Sequence, residues 1–528
     1  MTRRLWLLLG SCGIAAFCAA PAWALTAEQA RALVVGETEA RVAALNSVLQ
    51  GADDRTVALI QAISDDAVKF TDTAVFVMKG DKGHDPVTGT EAAVPAAAEE
   101  VVNNNQMRGE LDAALASIKL FSADAGVRAD AAKTLAGEPD EAKLGTVEKA
   151  LGAEQVPAIK ASLEATRFAM LLGSTDKARR LEAAKALGAT GTPATKTLLI
   201  ERAKVETEAD VKAALAASLA QIEGRLAWGE RLGVIFTGIS LGSILLLVAL
   251  GLAITYGLMG VINMAHGELM MIGAYATFVI QNLFKAYLPG AFDCYVLLAI
   301  PASFLAAALV GAILERSVIR WLNGRPLETL LATWGISLVL QQAVRSLFGA
   351  QNVPVENPAW LSGGIDVMSN LTLPFNRIAI VVFAVLVLAG VSAMIARTRL
   401  GLFVRGVTQN RTMAACMGVN TARIDTCAFA LGSGIAGLAG CALSQVGNVG
   451  PDLGQGYIVD SFMVVVLGGV GQLAGTVYAA MGLGVLNKLL EGWQGAVLAK
   501  IMVLVFIVIF IQKRPQGIFA MKGRSAEA

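Results

Sequence analysis

Nine apolar stretches follow one another between residues 231 and 528, and they restrict the possible folds of this chain more than any other feature. They fall at 233–258, 261–284, 295–313, 329–348, 378–396, 427–446, 458–471, 473–490 and 496–511. Most match the roughly 20 residues that a helix needs to cross hydrocarbon. The seventh is short and glycine-rich, and the sequence leaves open whether the seventh and eighth are full crossings. With 55% hydrophobic residues and a mean hydropathy of +0.60, the chain is too apolar for an ordinary soluble protein. A net charge of +1 supplies no basic footprint for nucleic acid.

Loop charges predict the orientation, because Lys and Arg accumulate on the cytoplasmic side of a membrane. The loop after the third stretch carries Arg316, Arg320 and Arg325, and the loop after the fifth carries Arg397, Arg399, Arg405, Arg411 and Arg423 with no acid among them. The C-terminal tail adds Lys513, Arg514, Lys522 and Arg524. All three are expected inside. Residues 349–376 carry Glu356 and Asp366 without a base and are expected outside. Residues 1–24 read as a signal peptide: Arg3 and Arg4, an apolar run from Leu5 to Ala20, then Ala22-Trp23-Ala24. A retained signal anchor is the other reading of that segment. A cleaved signal places residues 25–230 outside, so an odd number of crossings is needed, and nine satisfies every charged loop. Lys488 and Lys500 then fall near the outer face, which is the one objection.

Polar groups at membrane depth are costly unless they face protein or a watery cavity. The stretch Gly251–Tyr275, GLAITYGLMGVINMAHGELMMIGAY, holds Asn263, His266 and Glu268, punctuated by Gly257, Gly260, Gly267 and Gly273. It is either a wet cytoplasmic turn between two helices or a segment lining a pathway. Asn263 and His266 are three apart and can share a helix face, which makes them the expected solute-facing pair. Glu268 points elsewhere and is expected to brace the glycine-broken backbone. In the fourth stretch Thr333, Ser337, Gln341 and Arg345 recur every four residues and share one face, expected to look into the protein. That stripe serves either helix–helix hydrogen bonds or a pathway. In the sixth, Gly432, Ala436, Gly440 and Ser444 form a small-residue stripe that lets another helix approach closely.

Residues 25–230 are rich in Ala, Glu, Lys and Leu, with apolar residues three and four apart, and predict short helices too polar to span a bilayer. Asn103–Asn105 reads as a loop. Arg128-x-x-Ala131-Ala132-Lys133-x-Leu135 recurs as Arg180-x-x-Ala183-Ala184-Lys185-x-Leu187, an offset of 52. Ile159-Lys160-Ala161 recurs as Val211-Lys212-Ala213 at the same offset. Each unit holds more than one helix, so a HEAT-like stack that binds a protein is one expectation and a plain helical bundle the other. The predicted fold is therefore all-α: a signal peptide (1–24), an exported helical repeat domain (25–230) and a polytopic membrane domain (231–528).

The six cysteines show no CxxC, and the two histidines, His84 and His266, exclude a histidine-rich metal site. No HExxH, paired-Asp or Ser–His arrangement supports an intramembrane enzyme. No GxxxxGK[ST] pattern occurs, so the chain binds no nucleotide through a P-loop of its own. A membrane-anchored sensor or scaffold would leave eight of the nine stretches without a purpose.

NMAHGELMMIGAY resembles the signature of the branched-chain-amino-acid-type permeases of ABC importers, and the similarity runs over 233–515. The run Gly324–Gly364 is similar to the urea permease branch of that family. The resemblance implies a bacterial inner-membrane permease for urea or a short amide, with a branched-chain amino acid as the alternative. It implies four kinds of partner: a second related permease, two ATP-binding subunits, a periplasmic solute-binding protein and the lipid bilayer. It implies no cofactor on this chain. Residues 401–420 resemble the segment that docks such permeases onto their ATPase, with Arg405, Asn410, Ala414 and Gly418 at the pattern positions; a solvated basic loop is the plainer reading. Urea would be met by neutral groups such as Thr333, Gln341, Asn263 and His266, whereas Glu268 and Arg345 keep an amino acid in play.

Overall fold

The computed structural model describes residues 25–519 apart from 50–52, 72, 81, 96, 138–139, 261 and 323–324. The expected signal peptide and the end of the basic tail lie outside the described residues. The chain divides into two units, one up to Arg225 and one from Leu226 onward.

The first unit opens with helices α1 (Ala27–Ala32), α2 (Thr38–Leu49) and α3 (Asp54–Ser64). Five short strands follow: β1 (Val68–Phe70), β2 (Val75–Lys79), β3 (Lys82–His84), β4 (Glu91–Ala92) and β5 (Glu99–Glu100). They pair antiparallel in the order β4-β3-β2-β1-β5. This corrects the all-α expectation. Strands of two to five residues are too short to show an alternating pattern, but Val68 and Val75 are buried in the core of the first unit. The Asn103–Asn105 segment is also more than a loop. Asn103 is buried, donates to the Ile63 carbonyl at 2.8 Å and accepts from Arg41 at 2.8 Å. Asn104 caps the next helix by accepting the Met107 N–H at 2.8 Å.

That helix, α4 (Asn105–Lys119), starts a series: α5 (Ala125–Gly137), α6 (Leu144–Ala153), α7 (Pro157–Leu171), α8 (Lys177–Thr190), α9 (Pro193–Val205) and α10 (Ala209–Met259). Adding 52 to the bounds of α4 gives those of α7, and adding 52 to the starts of α5 and α7 gives the starts of α8 and α10. The repeat is thus a three-helix unit. Its repeated arginine has a purpose. Arg128 donates through Nε and Nη2 to Glu154 at 2.8 and 3.0 Å and through Nη1 to the Ser122 and Ala123 carbonyls. Arg180 makes the same set to Glu206, at 3.0 and 3.3 Å, and to the Ser174 and Thr175 carbonyls. Every partner is displaced by 52. Burial would push the Glu206 carboxyl up, but the Glu208 and Thr207 backbone N–H groups and Arg180 outweigh it and hold it at about 2. Arg128 does most of the same for Glu154, also at about 2.

The second unit contains the rest of α10, then α11 (His266–Tyr287), α12 (Tyr295–Ser317) and α13 (Pro326–Phe348). A hairpin of β6 (Gly364–Met368) and β7 (Leu371–Pro374) precedes α14 (Phe375–Arg397), α15 (Arg399–Gln409), α16 (Arg411–Cys416), α17 (Thr421–Ser444), α18 (Leu453–Gly468), α19 (Leu473–Gln494) and α20 (Ala496–Lys513). Each of the nine apolar stretches lies mainly on a helix. Among the described residues seven helices, α10, α11, α12, α14, α17, α19 and α20, are long and apolar enough to cross a membrane. The polar stripe keeps α13 out of that set, and α18, at 16 residues, is too short.

At the centre α17 packs against α11 and α12. A Cβ on Gly440 would sit 1.9 Å from the Met270 carbonyl oxygen, one on Gly437 2.4 Å from that of Ser303, and one on Gly432 2.7 Å from that of Gly251. The small-residue stripe of the sixth stretch is therefore a packing surface, as its spacing predicts.

Candidate functional site

The site begins where α10 stops. Met259 ends the helix, Gly260 turns the chain at φ +67°, and α11 does not start until His266. Only glycine adopts that turn without strain. Asn263 lies in the non-helical link, so it and His266 do not share a helix face, contrary to the reading from spacing. Its Oδ1 instead accepts the Ala265 N–H at 3.0 Å.

The link runs back into the bundle. His266 Nε2 lies 3.2 Å from the Val248 carbonyl. Val248 is eleven residues before the end of α10, about 16 Å along its axis. The Met264 N–H reaches Thr333 Oγ1 at 3.2 Å. Glu268, in the first turn of α11, accepts on Oε1 from Ser337 Oγ at 2.9 Å and Gln341 Nε2 at 2.7 Å. Ser337 is at the middle of α13, so α11 starts partway along its neighbours rather than at their ends. Glu268 thus braces α13 and not the glycine-broken backbone, a second correction.

Thr333, Ser337 and Gln341 are buried at this seam, at 0%, 5% and 5% exposure, as the stripe predicts. Arg345 parts company with them. It is partly exposed and pairs with Asp452, at the N-cap position of α18. Asp452 is a residue that sequence reasoning missed; its only signal is an acid in a glycine-rich link beside the shortest apolar stretch. Next to it Gly454 meets Gly267 backbone to backbone: a Cβ on Gly267 would lie 2.5 Å from the Gly454 oxygen. Asn263, His266 and Glu268 are 2%, 0% and 1% exposed. Their remaining polar atoms, Asn263 Nδ2, His266 Nδ1 and Glu268 Oε2, are buried without a hydrogen-bond partner.

A second group of expected residues lies on α15, on α16 and in the turn after it. Arg405 folds back onto the Gly401 carbonyl at 3.3 Å. Asn410 breaks the segment into two helices and caps the second, accepting the Met413 N–H at 2.9 Å. Ala414 packs onto the core, and Gly418 turns the chain into α17 at φ +84°. Leu402, Met413 and Met417 are exposed beside them. Arg405 and Thr408 border a cavity of about 610 Å³ together with Gly257 and the turn Gly471–Ala474.

Long apolar helices around a buried polar seam define a polytopic helical membrane protein. Residues 234–511 match the family described as branched-chain amino acid transport system / permease component, and the chain belongs to that family. It is 29% identical over 285 residues to the high-affinity branched-chain amino acid transport system permease protein BraD of Pseudomonas aeruginosa, covering 53% of this chain and 93% of the relative. It is 29% identical over 301 residues to LivH of Escherichia coli, covering 54% and 93%, and 26% identical over 305 residues to LivM of the same species, covering 53% and 69%. Both carry the same description as BraD. No solved structure matches the chain significantly.

Proposed function

We propose that the chain is a permease subunit of an ABC importer in the bacterial inner membrane. With a second, related permease it forms the solute pathway, and separate ATP-binding subunits and an external solute-binding protein complete the machine. The family match over 234–511 carries this reading. The names of the relatives support a branched-chain amino acid as solute. A second reading, urea or a short amide, is favoured by the resemblance of Gly324–Gly364 and by the uncharged groups Thr333, Ser337 and Gln341 at the seam. The pathway residues are Asn263, His266, Glu268, Thr333, Ser337 and Gln341, with Arg345 at the edge. In this reading α10–α14, α17 and α18–α20 make nine crossings, residues 25–230 form an external HEAT-like stack and the C-terminus is cytoplasmic.

Uptake of labelled leucine and labelled urea, in cells lacking other routes for each, is the deciding measurement. Leucine uptake alone supports the first solute and urea uptake alone the second; uptake of neither rejects both. Residues 401–420 dock on the ATPase in this scheme, through Arg405, Asn410, Ala414 and Gly418. Arg405→Glu or Gly418→Trp is expected to abolish uptake of whichever solute is carried while membrane abundance stays normal. Normal uptake by both variants removes the segment from the mechanism.

A further inference from the structure

The chain is interrupted twice in the same way, and the two interruptions meet. After α10 it turns at Gly260 and restarts as α11; after α17 it passes through 445–452 and restarts as α18. The contact of Gly267 with Gly454 brings the two restarts together. Neither helix has a side-chain N-cap hydrogen bond, although backbone carbonyls turn in to take part of each first turn, so two positive helix ends come together at one place. The second observation is the set of buried, unpartnered side-chain atoms there. Glu268 has one oxygen satisfied by Ser337 and Gln341 and the other, Oε2, left over. His266 donates through Nε2 to the Val248 carbonyl, so in a neutral ring its unpartnered Nδ1 is an acceptor. Asn263 has Nδ2 left over as a donor. Burying such a group without a partner costs stability, and three of them fall within six residues here.

Resting on the permease reading above, we infer that the junction of α11 and α18 is the solute-contact point. The solute's N–H donors go to Glu268 Oε2 and His266 Nδ1, and its oxygen goes to Asn263 Nδ2, beside the positive ends of the two helices. An N–H donor at one end and a carbonyl or carboxylate oxygen at the other is chemistry that a zwitterionic amino acid and urea share. It makes α18, which the solute reading from sequence left out, the second wall of the site. Broken helices whose N-termini face a solute are one way a membrane protein offers backbone N–H groups away from water. The structure shows the junction closed, so loading requires α11 and α18 to part at the two glycines.

The test uses the complete importer in proteoliposomes with labelled leucine and labelled urea as probes. Glu268→Gln keeps the shape and the Oε1-side bonds but puts an N–H donor where the Oε2 acceptor was. KM is expected to rise about ten- to hundredfold if the solute brings an ammonium group and only a few-fold if it is urea. Asn263→Leu is expected to raise KM a few-fold to tenfold for either. An independent readout is Asn263→Cys with a small thiol reagent during turnover, where saturating transported solute should slow labelling several-fold. Unchanged KM in both Glu268→Gln and Asn263→Leu overturns the assignment while leaving the permease reading intact, and so does labelling indifferent to solute. Uptake of neither probe by the wild-type importer rejects the substrate reading and this site with it.

Discussion

In the first unit neighbouring helices are tied by long side chains: Arg128 to Glu154, Arg180 to Glu206, each also holding two carbonyls in the link that follows the preceding helix. In the second unit they touch backbone to backbone, Gly440 against Met270, Gly273 against Gly437, Gly267 against Gly454. The solvents explain the contrast. In water, burying residues such as Leu135, Leu163 and Leu187 drives helices together and leaves their register to be set by something directional. An arginine clamp does that, and duplicating it duplicates the register. In hydrocarbon a leucine gains nothing by leaving lipid, so close van der Waals contact carries the association and glycine is the residue that permits it.

That comparison breaks first at its tightest contact. Gly440→Leu drives a side chain into the Met270 carbonyl and is expected to cost more than about 3 kcal/mol. Little folded protein should reach the membrane, measured as protease-resistant permease. Gly390→Leu, on an exposed face of α14 where a Cβ meets nothing within 4 Å, should be recovered at wild-type levels. Equal behaviour of the two would mean that close approach is not what holds the second unit.

Next comes the clamp. Arg180→Ala leaves the Glu206 carboxylate, whose side chain is 1% exposed, to Arg202 at 3.2 Å and the Thr207 and Glu208 N–H groups, and should destabilise its repeat by about 1.5 kcal/mol. Glu154, 3% exposed, has Arg128 as its ion-pair partner and keeps only the Gln155 and Val156 N–H groups without it, so Arg128→Ala should cost more. Amide hydrogen exchange over 105–205 in the full-length protein reads both. The smallest effect is that of pH. Both glutamates are held at about 2, below the ordinary 4.5. Their contribution is complete above about 4.5 and falls as pH drops toward 2. Exchange protection of α5–α9 should therefore be flat from pH 7 to 5 and decline below pH 4.5, in excess of any change in α17, whose glycine contacts do not titrate. Parallel decline in both regions would contradict the distinction.

Sequence alone carried much of this. A 52-residue period is visible because the clamp needs the same residues at the same spacing each time, and the small-residue stripe of the sixth stretch is visible because helix contact repeats every fourth position. The stripe Thr333, Ser337, Gln341 was legible for the same reason. What periodicity does not encode was missed. The strands of the first unit are too short to have a period, and Arg345 leaves the stripe because a partner 107 residues away claims it.

The sequence by itself determined which segments are helical and apolar, where the polar residues interrupt them, and that part of the first unit repeats, because each of these is a local property of side-chain chemistry and spacing. Only the tertiary structure decided what the interruptions do. Asn263, His266 and Glu268 lie within six residues of one another, yet one caps a link, one touches α10 and one grips α13. Gly267 and Gly454 are far apart in the chain and meet because neither has a side chain to hold the backbones apart. Two helices begin inside the bundle because their starts lean on each other, a relation between distant backbones that no local pattern records.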